Sequence, residues 1–118
     1  MKKMKGGIMF NQREIVLLPF PYSDLSGAKL RPALILSNKS FNQSEDRICC
    51  LVTSKEPSVK ILITQEDLEL GELPFMSWAK PSRIFTVSEK IIKRRLCKVN
   101  SKFHHRLLQQ IMFYLKEA

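Results

Sequence analysis

The residues best suited to chemistry lie between Pro19 and Pro32, where prolines flank two aromatic residues ahead of a short polar loop. Phe20 and Tyr22 are these aromatic residues, and Lys29 follows the loop. Aromatic rings stack on the bases of single-stranded nucleic acid, and cations hold its phosphates. This combination predicts nucleic-acid contacts through Phe20, Tyr22 and Lys29. An ordinary surface loop with Phe20 in the core fits the same pattern.

Arg31 is the residue of this segment best suited to a catalytic role. It stands at the mouth of an apolar strand, so a rigid element would hold its guanidinium. A guanidinium can grip two phosphate oxygens at once and can stabilise added negative charge. Asp24 is the only carboxylate in the preceding loop, and at neutral pH it is ionised but weakly basic.

Hydroxyl and cationic side chains also stand at the ends of later apolar segments. Thr53 and Ser54 close an apolar strand, where they can face a site or simply cap the strand. Lys80 and Arg83 flank the start of another strand, again beside aromatic residues such as Trp78. These four residues are further candidates for contacts with a phosphate backbone.

Several kinds of active site have no counterpart in the sequence. The chain contains no glycine-rich phosphate loop, HExxH, GxSxG or DxDxDG motif. His104 and His105 would lie about 100° apart around a helix, which disfavours a shared metal ion or a catalytic histidine. Cys49 and Cys50 would point to opposite faces of a strand, so we expect reduced cysteines and no metal site or cofactor.

Positive charge is concentrated in the two end segments of the chain, whose formal net charge is +9. Residues 1–42 carry a net charge of +5, residues 43–78 a net −4, and residues 79–118 a net +8. If the end segments meet in the fold, they form a positive surface suited to phosphate backbones. A basic surface that serves only solubility has the same composition.

The length of 118 residues and the apolar content of 44% predict a single domain over residues 1–118, with residues 1–10 as a basic, loosely ordered tail. No apolar run approaches the roughly 20 residues of a membrane span. The apolar part of the N-terminus, residues 8–10, is too short for a signal-peptide core. We therefore expect a cytoplasmic protein without a membrane partner.

Short β-branched and apolar runs predict a mainly β protein. We predict strands over residues 13–19, 32–37, 47–54, 59–64, 75–80 and 82–87, the last two separated by Pro81. Residues 65–73 are ambiguous between a loop and one helical turn that Gly71 ends. Thr86 and Glu89 have capping-box spacing, which predicts a short helix over residues 90–96.

The clearest helix is the last element. Asn100 or Ser101 can cap it. An apolar face recurs at helical spacing through Phe103, Leu107, Ile111 and Tyr114, and Leu108 and Leu115 widen it. Together these elements predict a compact, mostly antiparallel sheet or small barrel with a C-terminal helix.

Residues 14–37, EIVLLPFPYSDLSGAKLRPALILS, resemble the N-terminal signature of the MazF/PemK/Kid family, the mRNA-cleaving toxins of toxin–antitoxin systems. The similarity continues through CCLVTS at residues 49–54 and weakly through SRIFTV at residues 82–87. It spans most of residues 13–115 in order, although only the first block is specific. The resemblance implies a small SH3-like barrel with helices and a homodimer.

The resemblance also implies roles for individual residues. Arg31 matches the arginine of the family's Arg-Pro pair, and Thr53 matches the threonine that ends the third strand; these two form the catalytic pair. The implied reaction is metal-independent cleavage of single-stranded RNA, in which a 2′-hydroxyl attacks the adjacent phosphorus. Better-known members carry a glutamate and several glycines where this chain has DLSGAKL at residues 24–30, so the general base stays open, with Asp24 as candidate.

The expected partners are single-stranded RNA and an acidic cognate antitoxin that lays an apolar segment over the basic groove. Leu108, Met112 and Leu115 are the candidate homodimer interface. Two alternatives differ in function. A relative of the CcdB gyrase poisons would bind a protein through its C-terminal helix, and a relative that has lost its base would bind nucleic acid, DNA included, without cutting it.

Overall fold

The computed structural model describes residues 9–20, 29–56, 58–59 and 61–117, and within them seven strands form one antiparallel sheet. The strands are β1 (Glu14–Phe20), β2 (Lys29–Ile35), β3 (Asp46–Thr53), β4 (Ile61–Ile63), β5 (Leu68–Gly71), β6 (Ser77–Ser88) and β7 (Arg94–Val99), followed by helix α1 (Ser101–Leu115). The order across the sheet is β4-β6-β3-β2-β1-β7-β5. The sheet is a nearly closed barrel, which confirms the predicted fold class.

Two apolar clusters fill the two faces of this sheet. One contains Ile15, Cys50 and Val52 together with Phe103 and Leu107 of α1, so the helix covers that face. The other contains the alternate residues of the same strands, as alternation along a strand requires. Its main members are Val16, Leu18, Phe20, Ala33, Ile35, Cys49 and Leu51. We call the second face the Leu18 face.

The sheet is strongly curled. Phe20 of β1 and Phe85 of β6 meet edge to face, with ring centroids 5.2 Å apart, although β2 and β3 lie between their strands in the sheet order. Curling of this kind brings residues from distant strands onto one small surface.

Two sequence predictions for the second half of the chain are wrong. Residues 90–96 do not form a helix: a 3-10 turn spans Glu89–Ile91, capped by Ser88, and Arg94 already begins β7. Pairing with β1 buries Cys97 and Val99 and outweighs the local helical pattern. Pro81 does not separate two strands either, because β6 runs through it.

The ambiguous residues 65–73 contain both a turn and a strand. A 3-10 turn at Gln65–Asp67 is closed by Thr64 and Asp67, and β5 follows it. Gly71 ends β5 with φ +79°, and a Cβ there would meet the carbonyl oxygen of Leu96 at 2.7 Å, so both conformation and space favour glycine.

The C-terminal helix forms where the sequence predicts it, and Phe103 and Leu107 of its apolar face are buried, whereas Leu108, Tyr114 and Leu115 are exposed. The Asn100 side chain accepts a hydrogen bond from the Phe103 N–H at 2.8 Å and so caps α1. No helix in the described part of the chain is long and apolar enough to cross a membrane.

Candidate functional site

The β2–β3 ladder ends two residues short of Arg31 and Thr53. Ala33 pairs with Leu51, Leu34 with Cys50 and Ile35 with Cys49. Continuing this register by two residues along each strand sets Arg31 opposite Thr53, where neighbouring strands hold facing residues about 5 Å apart at their Cα atoms. Facing residues share one side of a sheet, so both lie at the edge of the Leu18 face.

Thr53 is half-buried and its hydroxyl is oriented. The Oγ1 atom accepts a hydrogen bond from the Lys55 N–H at 3.1 Å, in the turn that follows β3. This contact occupies a lone pair and leaves the hydroxyl hydrogen to donate. Thr53 can therefore donate to an anionic oxygen placed beside Arg31.

Arg31 is also half-buried, and Leu18 lies opposite it on β1. None of the ion pairs between described residues involves Arg31, so no described carboxylate compensates its charge. A cation on a strand, next to an oriented hydroxyl, is suited to an oxyanion such as a phosphate group.

A wide bulge in β6 adds two more cations. Val52 pairs with Ala79 and Cys50 with Ile84, so the four residues of β6 from Lys80 to Arg83 face only Leu51. Bulges re-aim side chains and are frequent beside active sites.

The bulge is fixed at its start by a cysteine. The Cys50 thiol donates to the carbonyl oxygen of Lys80 at 3.1 Å, and Pro81 is buried. Alternation along β6 from Trp78 puts Lys80 on the Leu18 face, and alternation from Phe85 puts Arg83 there.

The basic end segments of the chain meet in this fold. Lys29 and Arg31 of β2 lie on one side of β3, and Lys80 and Arg83 of β6 lie on the other. The structure therefore brings together five of the predicted site residues, these four cations and Thr53. Ser54 directly follows Thr53 and is exposed.

The other predicted site residues differ in their placement. Phe20 is only 6% exposed and packs against Phe85, so the expected stacking on RNA is corrected: burial against the curled sheet makes Phe20 a core residue. Tyr22 and Asp24 lie outside the described residues.

Trp78 is the residue at the site that sequence reasoning did not select. It pairs with Thr53 on one side and with Leu62 of β4 on the other. Its signal in the sequence was an aromatic ring next to the cations Lys80 and Arg83. Its importance depends on the register between β3 and β6, which a bulge shifts.

The cysteines supply neither a reactive thiolate nor a metal ligand to this cluster. Burial raises the pKa of the Cys49 and Cys50 thiols to about 12 and that of Cys97 to about 11, which keeps all three protonated at neutral pH. The three are free thiols. Among the residues described, no group of three or more His, Cys, Asp or Glu side chains could hold a metal ion.

A model of a toxin family matches most of the chain. The model described as PemK-like, MazF-like toxin of type II toxin-antitoxin system matches residues 11–115. The chain therefore belongs to this toxin family. No curated protein matches its sequence.

Solved structures with the same fold are distant in sequence. MazE–MazF (Form-III) from Deinococcus radiodurans is 15% identical with a TM-score of 0.72, and the match covers 92% of this chain and 97% of that one. An endoribonuclease in complex with its cognate antitoxin from a mycobacterial species is 13% identical, with a TM-score of 0.67 over 93% and 100% of the two chains. Mycobacterium tuberculosis toxin MazF-mt6 is 17% identical, with a TM-score of 0.66 over 89% and 100%.

Proposed function

We propose that this toxin-family protein is an endoribonuclease that cuts single-stranded RNA in the cytoplasm. The observation that carries the proposal is the β2–β3 register, whose continuation sets Arg31 opposite Thr53, with Lys29 on the same strand as Arg31 and with Lys80 and Arg83 on β6. Two mycobacterial proteins that share the fold are endoribonucleases, which supports this activity.

The proposed reaction is a transesterification within the RNA strand. The 2′-oxygen forms a bond to the adjacent phosphorus, the bond from phosphorus to the 5′-oxygen breaks, and a 2′,3′-cyclic phosphate and a 5′-hydroxyl result. A base must take the 2′-proton, and an acid must protonate the leaving 5′-oxygen. No metal ion takes part.

Arg31 and Thr53 supply the electrostatic part of this reaction. The Arg31 guanidinium stabilises the extra negative charge of the phosphorane and is the candidate donor of the proton to the leaving oxygen. The Thr53 hydroxyl donates to a non-bridging oxygen and orients it, since the Lys55 N–H holds the other side of the hydroxyl. Asp24 is the candidate general base.

The surrounding polar side chains hold the rest of the strand. Lys29, Lys80 and Arg83 bind flanking phosphates, and the Ser54 hydroxyl is a further donor beside Thr53. Binding by four cations should weaken steeply with salt, because each neutralised phosphate releases counterions.

Arg31→Ala tests the proposal. We expect the wild type to cut a mixed panel of single-stranded RNAs in EDTA, leaving 2′,3′-cyclic or 3′-phosphate ends, and the variant to lose about a hundredfold or more in kcat, the scale for a lost oxyanion donor. Arg94→Ala is the matched control. Arg94 is an exposed arginine on β7 and pairs with Leu17, so it lies on the opposite side of the sheet from the Leu18 face. Equal, trace-level cleavage by wild type and Arg31→Ala would reject the nuclease.

Two other readouts separate the alternatives. Inhibition of DNA supercoiling by the pure protein, unchanged by Arg31→Ala, would instead identify a gyrase poison. Salt-dependent binding of RNA or DNA without cleavage would identify a non-catalytic nucleic-acid binder.

We further propose an acidic antitoxin and a homodimer. An acidic partner suits the cation cluster around Arg31 and would block RNA, and antitoxin complexes exist among the structures with this fold. For the homodimer, the end of α1 exposes Met112 and Leu115 at 60% and 74%. Leu115 also lines a groove of about 610 Å³ between α1 and the sheet. The other residues that line it include Leu36, Ile48, Pro81, Ile84, Leu108 and Ile111.

A further inference from the structure

Trp78 lies in the same row of the sheet as the candidate catalytic pair. Leu18 faces Arg31, and Thr53 faces Trp78, which in turn faces Leu62. The continued β2–β3 register joins the two parts by setting Arg31 opposite Thr53. Two strand spacings separate Arg31 from Trp78, about 10 Å. The indole is therefore near enough to meet the base of a nucleotide whose neighbouring phosphate lies between Arg31 and Thr53.

The indole is not part of the core packing. Its chain neighbours Ser77 and Ala79 are buried, whereas Trp78 is only partly buried and the two apolar clusters of the described residues do not include it. Leu62, its partner on β4, is 41% exposed. Trp78 and Leu62 thus form an open apolar surface at the end of the row, which we call the Trp78 platform.

The charges around this platform indicate the chemistry of its occupant. Lys80 follows Trp78 by two residues on the same face, and Arg83 lies beyond the bulge on that face. Arg31 lies on the other side of Thr53. A flat aromatic surface surrounded by cations matches an unstacked nucleobase with phosphates on either side.

We propose that the Trp78 platform binds a nucleobase next to the scissile phosphate and sets the base preference at that position. This inference rests on the proposed function, because the phosphate held by Arg31 and Thr53 fixes which nucleotide reaches the indole. Stacking tolerates all four bases but discriminates among them by stacking strength, so the platform gives a graded preference. An acidic protein segment with an apolar anchor is the competing occupant.

The chain has one tryptophan, so its fluorescence reports directly on the platform. Ten-nucleotide, 2′-O-methylated RNA of random sequence cannot be cut and serves as the probe. We expect saturable quenching of the wild-type signal that weakens as salt is raised. The control is the double variant Trp78→Phe, Phe41→Trp, which moves the reporter to the turn before β3, about 23 Å of strand away from Thr53.

Cleavage kinetics test the role of the platform in the reaction. We expect Trp78→Leu to raise KM about tenfold or more with little change in kcat, and to relax the base preference beside the cut. Trp78→Phe should restore most of the wild-type KM and most of the base preference. Phe41→Leu is the matched control, since Phe41 is a partly exposed aromatic (38%) at the opposite end of β3.

The outcomes distinguish the platform from the nuclease. Cutting by wild type, with no quenching and with unchanged KM and cut sites in Trp78→Leu, would overturn the platform alone. Quenching by RNA without any cleavage would overturn the nuclease and support the platform as a binding site. Quenching by an acidic apolar peptide but not by RNA would assign the surface to a protein partner and overturn the inference.

Discussion

At the residue scale, His104 has an unusual environment. It lies in the first turns of α1 at 8% exposure, and neither ring nitrogen has a hydrogen-bond partner among the described residues. Burial lowers the pKa of His104 below its usual 6.5, and the nearby charges of Arg13 and His105 lower it further. The positive end of the helix dipole also disfavours an imidazolium there. The folded protein therefore holds His104 neutral.

This lowered pKa makes stability depend on pH. Below about pH 6.5 His104 binds a proton in the unfolded chain but not in the folded chain. The free energy of unfolding therefore decreases as the pH is lowered, until the folded-state pKa is reached. His104→Leu should reduce the loss of unfolding free energy between about pH 7.5 and about pH 5.5, by at most about 1.4 kcal/mol for each pH unit. Urea denaturation at both pH values measures this.

His105→Leu is the control for the pH experiment. His105 is its exposed neighbour on α1, and its charge is the smallest of the named causes of the lowered pKa of His104, so its replacement should remove much less of the pH dependence than His104→Leu does. The same pH dependence in wild type and His104→Leu would contradict the assignment to His104.

At the scale of elements, a buried arginine joins the N-terminal segment to the sheet. Arg47 of β3 is 1% exposed, forms an ion pair with Glu89 at 3.1 Å, and donates to the carbonyl oxygens of Phe10, Ser44 and Asp46. The Glu89 carboxylate also accepts from the Phe10 N–H at 3.1 Å. The pair thus clamps both backbone groups of Phe10 against the turn before β7.

Arg47→Met should destabilise the fold by about 3–5 kcal/mol, because it leaves the Glu89 charge and three carbonyl oxygens without their donor. Thermal or urea unfolding measures the change. Lys90→Met is the control: it breaks an exposed pair with Glu45, also 3.1 Å long, which we expect to contribute no more than about 1 kcal/mol. Similar losses in the two variants would contradict a special role for the clamp.

The elements that the sequence predicts well are those with local signals. Helix α1 has its Asn100 cap and its apolar face within 15 residues, and β1 to β3 are strongly apolar. Strand β7 was missed because RRLCKV is stabilised by a partner some 80 residues earlier in the chain. The bulge in β6 is likewise set by tertiary contacts.

The candidate site follows the same rule. Family resemblance selects Arg31 and Thr53, yet their alignment depends on the β2–β3 register across a long connection. That register, and the bulge that turns Lys80 and Arg83 toward it, are properties of the sheet. Trp78 lies at the site because β6 pairs it with Thr53. Phe20 is not part of the site, because the curled sheet buries it against Phe85. The general base stays a prediction, since Asp24 lies outside the described residues.

At the scale of the whole molecule, the fold carries opposite kinds of surface on its two sides. The edge of the Leu18 face carries the four cations Lys29, Arg31, Lys80 and Arg83. On the other side, α1 and the groove beside it expose apolar side chains. The groove reaches Pro81 within the β6 bulge. A second copy seated there would lie beside the candidate site of the first, so dimerisation and RNA binding would be neighbours in space.

The combined change Met112→Glu, Leu115→Glu tests this homodimer. Each buried apolar side chain contributes roughly 1.5–3 kcal/mol, so two charges in their place should raise the dimer Kd at least about a hundredfold. We expect light scattering to give twice the chain mass for wild type and the single mass for the variant. Leu70→Glu, which changes a leucine of β5 that is 51% exposed, should remain dimeric. A wild type that stays monomeric at high concentration would contradict the interface, and a monomeric variant that still cuts RNA fully would show that each copy has a complete site.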